Sequence, residues 1–332
     1  MINWKKAGLT ALAGSLVATS AFAGAVSVSG TANLTYTANG GQEDTGEADE
    51  GGNHDGNRWG LNKSLSFSGS GEMDNGNTVS VYFGNNGSSQ SSATLSYDMG
   101  DTGKFMYDSG AGGHGIGSID DKTPTAAEEV WDNISYGTGH DGYRVGIGNS
   151  GALVYSNTIA GVGVSVDYVR QGGGAAEDGA TAGGAKGSGK SIALTKTLDN
   201  GVSVGIGKGD KGMADAGNSD SQMTAYATYA VGGVTVGAQW AENDAGAGTA
   251  SDWETTQFGV SFALNDNTSI SYGQRTIEHG NSTKVDETTS GVAISYTMGG
   301  MSVTANVNTA DDYKGTAASE KETTEIAVSF SF

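Results

Sequence analysis

From Val26 to Phe332 the chain repeatedly alternates large apolar residues with small polar ones, in segments of about 8–13 residues. In AVSVSGTANLTYT, Val26, Val28, Ala32, Leu34 and Tyr36 share one parity, and Ser27, Ser29, Thr31, Asn33 and Thr35 the other. TVSVYFG, GVGVSVDYV, SIALTKTL, VTVGAQW, QFGVSFAL, GVAISYTM and MSVTANV repeat the pattern, and Ile326, Val328, Phe330 and Phe332 carry it to the last residue. A period of two is that of a strand with one apolar and one polar face. No segment sustains a period of 3.6, so no long helix is expected.

The connections alternate in length. Tight hairpin chemistry stands at Asp74–Gly76, Asp101–Gly103, Ala160–Gly161, Asp199–Gly201, Gly232–Gly233, Asn265–Asn267 and Gly299–Gly300. Acidic, Gly-rich loops lie between them, at 39–56, 86–90, 110–150, 171–189, 210–220, 243–251, 279–285 and 312–321. Seven turns and eight loops join sixteen antiparallel strands, short connections at one end and long ones at the other, as in a transmembrane β-barrel. The polar faces hold mostly Ser, Thr, Asn, Gly and Ala and few long charged side chains. They suit a wet lumen, with the apolar faces turned to lipid and no unpaired edge left. Reading Asn133–Gly137 and Tyr143–Asn149 as one more hairpin gives eighteen strands as the alternative. Lys63, Lys196 and Lys208 fall on the lipid-facing parity, where a lysine at the bilayer midplane costs about 2–4 kcal/mol. The last two lie near strand ends and can snorkel; Lys63 needs a local irregularity or a subunit contact.

The ends and the composition add constraints. Residues 1–23 combine Lys5 and Lys6, an apolar stretch and Ala21-Phe22-Ala23, the pattern of a cleaved export signal, which leaves 24–332 as one barrel domain. There is no cysteine, so no disulfide framework. With 37 Asp+Glu against 17 Lys+Arg, a formal net charge of −20, the chain repels nucleic acid and favours cations as small partners. Gly146–Gly151 matches G-x-G-x-x-G by letters, but a strand follows it where a dinucleotide site needs a helix. The four histidines, His54, His114, His140 and His279, are far apart and read as exposed loop residues. No enzyme signature is found, and no cofactor is called for. The acidic stretch with Glu43, Asp44, Asp49, Glu50 and Asp55 has the hard oxygen donors of a Ca²⁺ loop, against the plainer reading of a solvated surface loop.

Three stretches, with the export signal, resemble the sixteen-stranded trimeric general diffusion porins of Gram-negative outer membranes. They are NRWGLNKSLSFSGSGEMDNGNTVSVYF (57–83), LVYSNTIAGVGVSVDYV (153–169) and the final AVSFSF. The resemblance implies a water-filled outer-membrane pore for ions and small hydrophilic solutes, narrowed by the third loop, 110–150, folded into the lumen. It places Asp120, Asp121, Glu128, Glu129 and Asp132 at the constriction, opposed by Lys122 and Arg144 of the loop and by Arg58, Lys104 and Arg275, inward by parity on the wall. So thin a basic set leads us to expect cation preference. Pro124–Trp131 is expected to form a short helix in the loop. Val328, Phe330 and Phe332 resemble the signal read by the barrel-assembly machinery, and a homotrimer in outer-membrane lipid is implied. Two other readings stay open: a substrate-specific channel, and a secreted, calcium-stabilised β-rich adhesin.

Overall fold

The computed structural model describes residues 26–40, 58–87, 89–134, 147, 150–170, 188–212, 219–246 and 252–332. The strands are β1 (Val26–Gly40), β2 (Trp59–Glu72), β3 (Thr78–Asn86), β4 (Ser89–Asp98), β5 (Lys104–Ser109), β6 (Ser150–Ile159), β7 (Val162–Arg170) and β8 (Ser188–Thr197). They continue as β9 (Val202–Gly212), β10 (Ser219–Val231), β11 (Val234–Asp244), β12 (Trp253–Asn265), β13 (Thr268–His279), β14 (Glu287–Met298), β15 (Met301–Asp311) and β16 (Glu320–Ser331). Each strand pairs with its sequence neighbours, and β1 pairs antiparallel with β16, so the sheet is a closed barrel of sixteen. β5 pairs directly with β6, which leaves no place in the ring for a further hairpin and corrects the eighteen-strand alternative.

Parity decides the faces. Val28, Leu34, Leu61, Phe67, Phe105, Leu153, Ile206, Phe258, Val292 and Ile326 stand exposed on the outside. Their neighbours Ser29, Ser66, Ser165, Gln257 and Asn306 point inward. A closed ladder leaves no row of backbone N–H and C=O groups to meet hydrocarbon. The turns are as tight as the sequence asks: Ala160 (φ 51°) and Gly161 (φ 74°) both take positive φ, the two-residue hairpin geometry. Connection 86–90, expected to be a long loop, is only a two-residue step between β3 and β4, beside a register irregularity at Gly84/Asn85. β3 therefore ends low on this side of the barrel, and Gly87 N donates to the Lys63 carbonyl at 3.0 Å. Lys63 does face outward, opposite Ala32, but at the level where β3 stops, which answers the conflict its parity raised.

The loop that begins at Gly110 turns into the barrel and supplies its dry contacts. Ile116, Ile134 and Ile147 are each at most 1% exposed and each sits in a different apolar cluster with wall residues. Ile116 meets Ala241, Trp253 and Ile277; Ile147 meets Ala152, Val154 and Val169; Ile134 meets Ala310 and Tyr313. Burying each such side chain stabilises the folded loop by about 1.5–3 kcal/mol. A 3-10 turn spans Gly115–Ile119. No helix forms over Pro124–Trp131, contrary to expectation, because the backbone there bonds to the wall: Ala126 N donates to Ser271 Oγ at 2.8 Å.

Candidate functional site

The loop needs a bed, and inward glycines provide one. A Cβ at Gly207 would stand 2.8 Å from Ile116, one at Gly237 2.7 Å from Pro124, one at Gly259 2.6 Å from the Pro124 carbonyl, and one at Gly273 2.9 Å from Val130. Real side chains essentially never approach so closely, so these positions on β9, β11, β12 and β13 have to be glycine for the loop to lie where it does. Polar wall side chains then hold it. Gln239 on β11 accepts from Lys122 N at 2.8 Å and donates to the Ile119 carbonyl at 2.7 Å. Gln257 donates to Thr123 Oγ1 at 2.9 Å. Asn308 on β15 donates to the carbonyls of Glu129 and Asp132, both at 3.1 Å, and Lys321 on β16 donates to that of Ile134 at 3.2 Å. The described part of the loop thus runs along the inner wall from β5 to β16.

This path brings the predicted acids together. Asp120, Asp121, Glu129 and Asp132 are half-buried and Glu128 is exposed. Burial, then the Glu129 carboxyl beside it, pushes Asp121 up to about 8. Burial, then the charge of Glu325, pushes Asp132 up to about 7. Burial also holds Asp120 above the usual carboxyl range, against the pull of Lys122. Clustering like charges in a partly dry channel raises the cost of ionising all of them at once.

Glu325 of β16 is a member of this group that sequence reasoning missed. Its Oε2 accepts from Thr37 Oγ1 and from Asn133 Nδ2, both at 2.9 Å, and the same Asn133 amide donates to Asp132 Oδ2 at 2.7 Å. Inward parity of Glu325 was legible; its meeting with a loop residue 192 positions earlier was not.

The predicted basic wall is thinner than parity implied. Arg275 points inward but is 0% exposed: its Nη2 donates to Glu287 Oε1 at 3.1 Å, and its guanidinium lies 5.1 Å from the Trp131 ring centre. The loop covers it. Arg58 was expected to face the lumen, yet its Nη1 donates to the hydroxyl of Tyr36, an outward residue, at 3.4 Å. Lys104 is inward and half-buried at the short-turn end of β5. Arg144 lies outside the described residues, as do residues 1–23, the acidic stretch Glu43, Asp44, Asp49, Glu50 and Asp55, and His54 and His140.

His114, read as an exposed loop residue, is 5% exposed. Its Nδ1 is 2.7 Å from Asp167 Oδ2 and its Nε2 is 3.0 Å from Asp108 Oδ2. The histidine could not be placed from its neighbours in sequence, because one of its partners lies 53 positions away on β7.

Comparison with known proteins agrees with the architecture. The profile of the family described as Gram-negative porin matches residues 8–332. No curated protein sequence matches the chain. Among solved structures, a porin refined at 1.8 Å resolution is similar with a TM-score of 0.64 at 17% identity, over 93% of this chain and 100% of that one. An anion-selective porin from Comamonas acidovorans gives 0.63 at 13%, over 93% and 99%. OmpT of Vibrio cholerae lacking its loop L8 gives 0.61 at 14%, over 93% and 99%. These likenesses speak to the fold, and the family match extends over nearly the whole sequence. The chain belongs to the Gram-negative porin family, and its barrel is an outer-membrane channel for diffusion.

Proposed function

We propose that this porin is a general diffusion pore that prefers cations, with Asp120, Asp121, Glu128, Glu129 and Asp132 of the loop and Glu325 of the wall forming its selectivity region. The observation that carries this reading is the sign of the wall beside the loop's acids. Where a basic cluster would create a transverse field, the described wall offers Glu325, while Arg275 is covered and paired with Glu287 and Lys321 is buried against the Ile134 carbonyl. A channel lined by one sign of charge concentrates counter-ions and excludes co-ions. The anion-selective relative from Comamonas acidovorans shares the barrel, so preference belongs to the lining side chains and not to the fold. Lys122 and Lys104 remain as local opposing charges, and Arg144 completes the loop's basic set.

The reading includes export through residues 1–23, a mature barrel of 24–332 assembled as a homotrimer in outer-membrane lipid, and insertion guided by Val328, Phe330 and Phe332. The test is the reversal potential of the refolded protein in a planar bilayer under a KCl gradient. A cation-selective potential is expected, moved toward zero by Glu325→Gln and further by Glu325→Gln with Asp132→Asn. An anion-selective potential in the unmodified protein sinks the proposal. A conductance blocked in a saturable way by one sugar or phosphate compound would move the assignment to a substrate-specific channel.

A further inference from the structure

The described part of the loop is held mainly by wall side chains that reach its backbone; at its stem the loop's own side chain makes the attachment. His114 bridges two strands that are not neighbours, Asp108 on β5 and Asp167 on β7, across the small inward side chain of Ala152 on β6. All three groups of the bridge are at most 5% exposed. The carboxylates are fixed independently of the ring. Asp108 accepts from Ala111 N and Gly112 N, each at 2.8 Å, and Asp167 Oδ1 accepts from Ser191 Oγ. Beside them Gly115 N donates to Ser165 Oγ and Ile116 N to Ser191 Oγ, both at 2.8 Å. Gly115 sits at φ 53°, and a Cβ there would run into Ser191 and Asp167.

Counting donors fixes the proton. Each ring nitrogen faces a carboxylate oxygen, which carries only lone pairs, so both nitrogens have to donate; a neutral imidazole has one N–H and can satisfy one of the two. We propose that Asp108–His114–Asp167 is a proton-dependent latch, in which the imidazolium holds residues 111–119 against the wall and loss of its proton releases this stem and unsettles the conducting state.

The surroundings favour the charged ring. Asp108 from β5, and Asp167 and Ser165 from β7, face this corner together with Ser191 from β8. β6 presents Ala152 and Val154, and β9 presents Gly207 and Gly209, with Lys211 two positions further along its inward side. Burial opposes protonation, but Asp167 and then Asp108 outweigh it and hold His114 above the ordinary histidine range. A folded-state pKa raised in this way stabilises the latched form fully below about pH 6.5, the unfolded histidine value. The contribution is lost as pH rises through the folded-state value.

The experiment is a histidine NMR titration of the detergent-folded full chain between pH 5 and 10, paired with single-channel records over the same range. One imidazole, absent from the spectrum of His114→Gln, should hold its second proton above the ordinary histidine range and lose it as pH rises further. Closures or current noise should set in at the same midpoint. Asp167→Asn, which keeps the shape and removes one charge, should lower both midpoints by about 1–3 pH units. If His114→Gln does not fold, substituting the other three histidines assigns the signal instead. A His114 midpoint at or below 6.5, a midpoint unmoved in Asp167→Asn, or alkaline closures that persist unchanged in His114→Gln would overturn the latch. The NMR arm reads the proton whether or not the barrel proves cation-selective, so the two proposals fail separately.

Discussion

Asn133 takes a left-handed backbone conformation, φ 57°, and from there its single amide serves two carboxyl groups, Asp132 and Glu325. Asparagine tolerates that conformation better than most residues. Replacing it by alanine leaves the strained backbone and removes the shared donor, so the two acids face each other unmediated. Asn133→Ala should therefore raise the pH at which Asp132 ionises and weaken cation preference at pH 7, read as a reversal potential closer to zero. Asp132, with Asp121, makes selectivity depend on pH in the unmodified protein. Asp132 lies up at about 7 and Asp121 at about 8, so each is largely neutral below its value and charged above it. Cation preference should grow as pH rises from about 6 to about 8.5, and Asp132→Asn should remove the lower part of that rise. A reversal potential flat across this range would mean that these carboxyls do not face permeating ions.

The loop and its bed form one element although they come from distant parts of the sequence. Strand parity was legible because lipid on one side and water on the other impose a strict period of two, and each strand reports it locally. The loop had no such reporter. Its anchors are isolated isoleucines set in glycine, Gly115-Ile116-Gly117 and Gly146-Ile147-Gly148, and its bed is made of inward glycines on β9, β11, β12 and β13. In the sequence an inward glycine is as compatible with a small lumen residue as with a contact, and only the closed barrel shows which it is. The burial of Arg275 and the outward reach of Arg58 were hidden for the same reason: parity gives a direction, and the loop and the rim then decide what the side chain meets. This pairing is testable at Gly259, where alanine would place a methyl group 2.6 Å from the Pro124 carbonyl. Overpacking of this kind costs about 1–3 kcal/mol. Gly259→Ala should shift the loop into the lumen and change the unit conductance while the barrel keeps its heat resistance on electrophoresis. An equal change from alanine at Gly69, an outward glycine on β2 whose Cβ would meet only ordinary contacts at 3.8 Å, would show that the bed is not what matters.

Closure of the ring depends on the chain's two ends meeting. Phe332 N donates to the Gly30 carbonyl at 3.0 Å and Gly30 N donates to the Phe332 carbonyl at 2.8 Å, one residue beyond the Thr31–Ser331 pair of β1 and β16. The Phe332 ring lies over Gly30, where a Cβ would stand 2.6 Å from it, and stays 76% exposed on the lipid side. Two roles are therefore combined in one residue, and they separate by experiment. The backbone pair contributes to the ring itself: deleting Phe332 leaves the Gly30 N–H and C=O without partners on a face that water reaches poorly, at about 1–3 kcal/mol for each group. Phe332→Ala keeps both hydrogen bonds and loses only the ring's contact with Gly30 and lipid. Refolded from urea into detergent, the deletion should lower the unfolding midpoint clearly and Phe332→Ala only slightly. In cells, the proposed role of Phe332 in recognition by the assembly machinery predicts the opposite weighting, with Phe332→Ala reducing the amount of inserted barrel about as much as the deletion does. If the two variants keep the same order in both settings, stability of the closed ring alone accounts for Phe332, and recognition has to rest on Val328 and Phe330 or on some other part of the barrel.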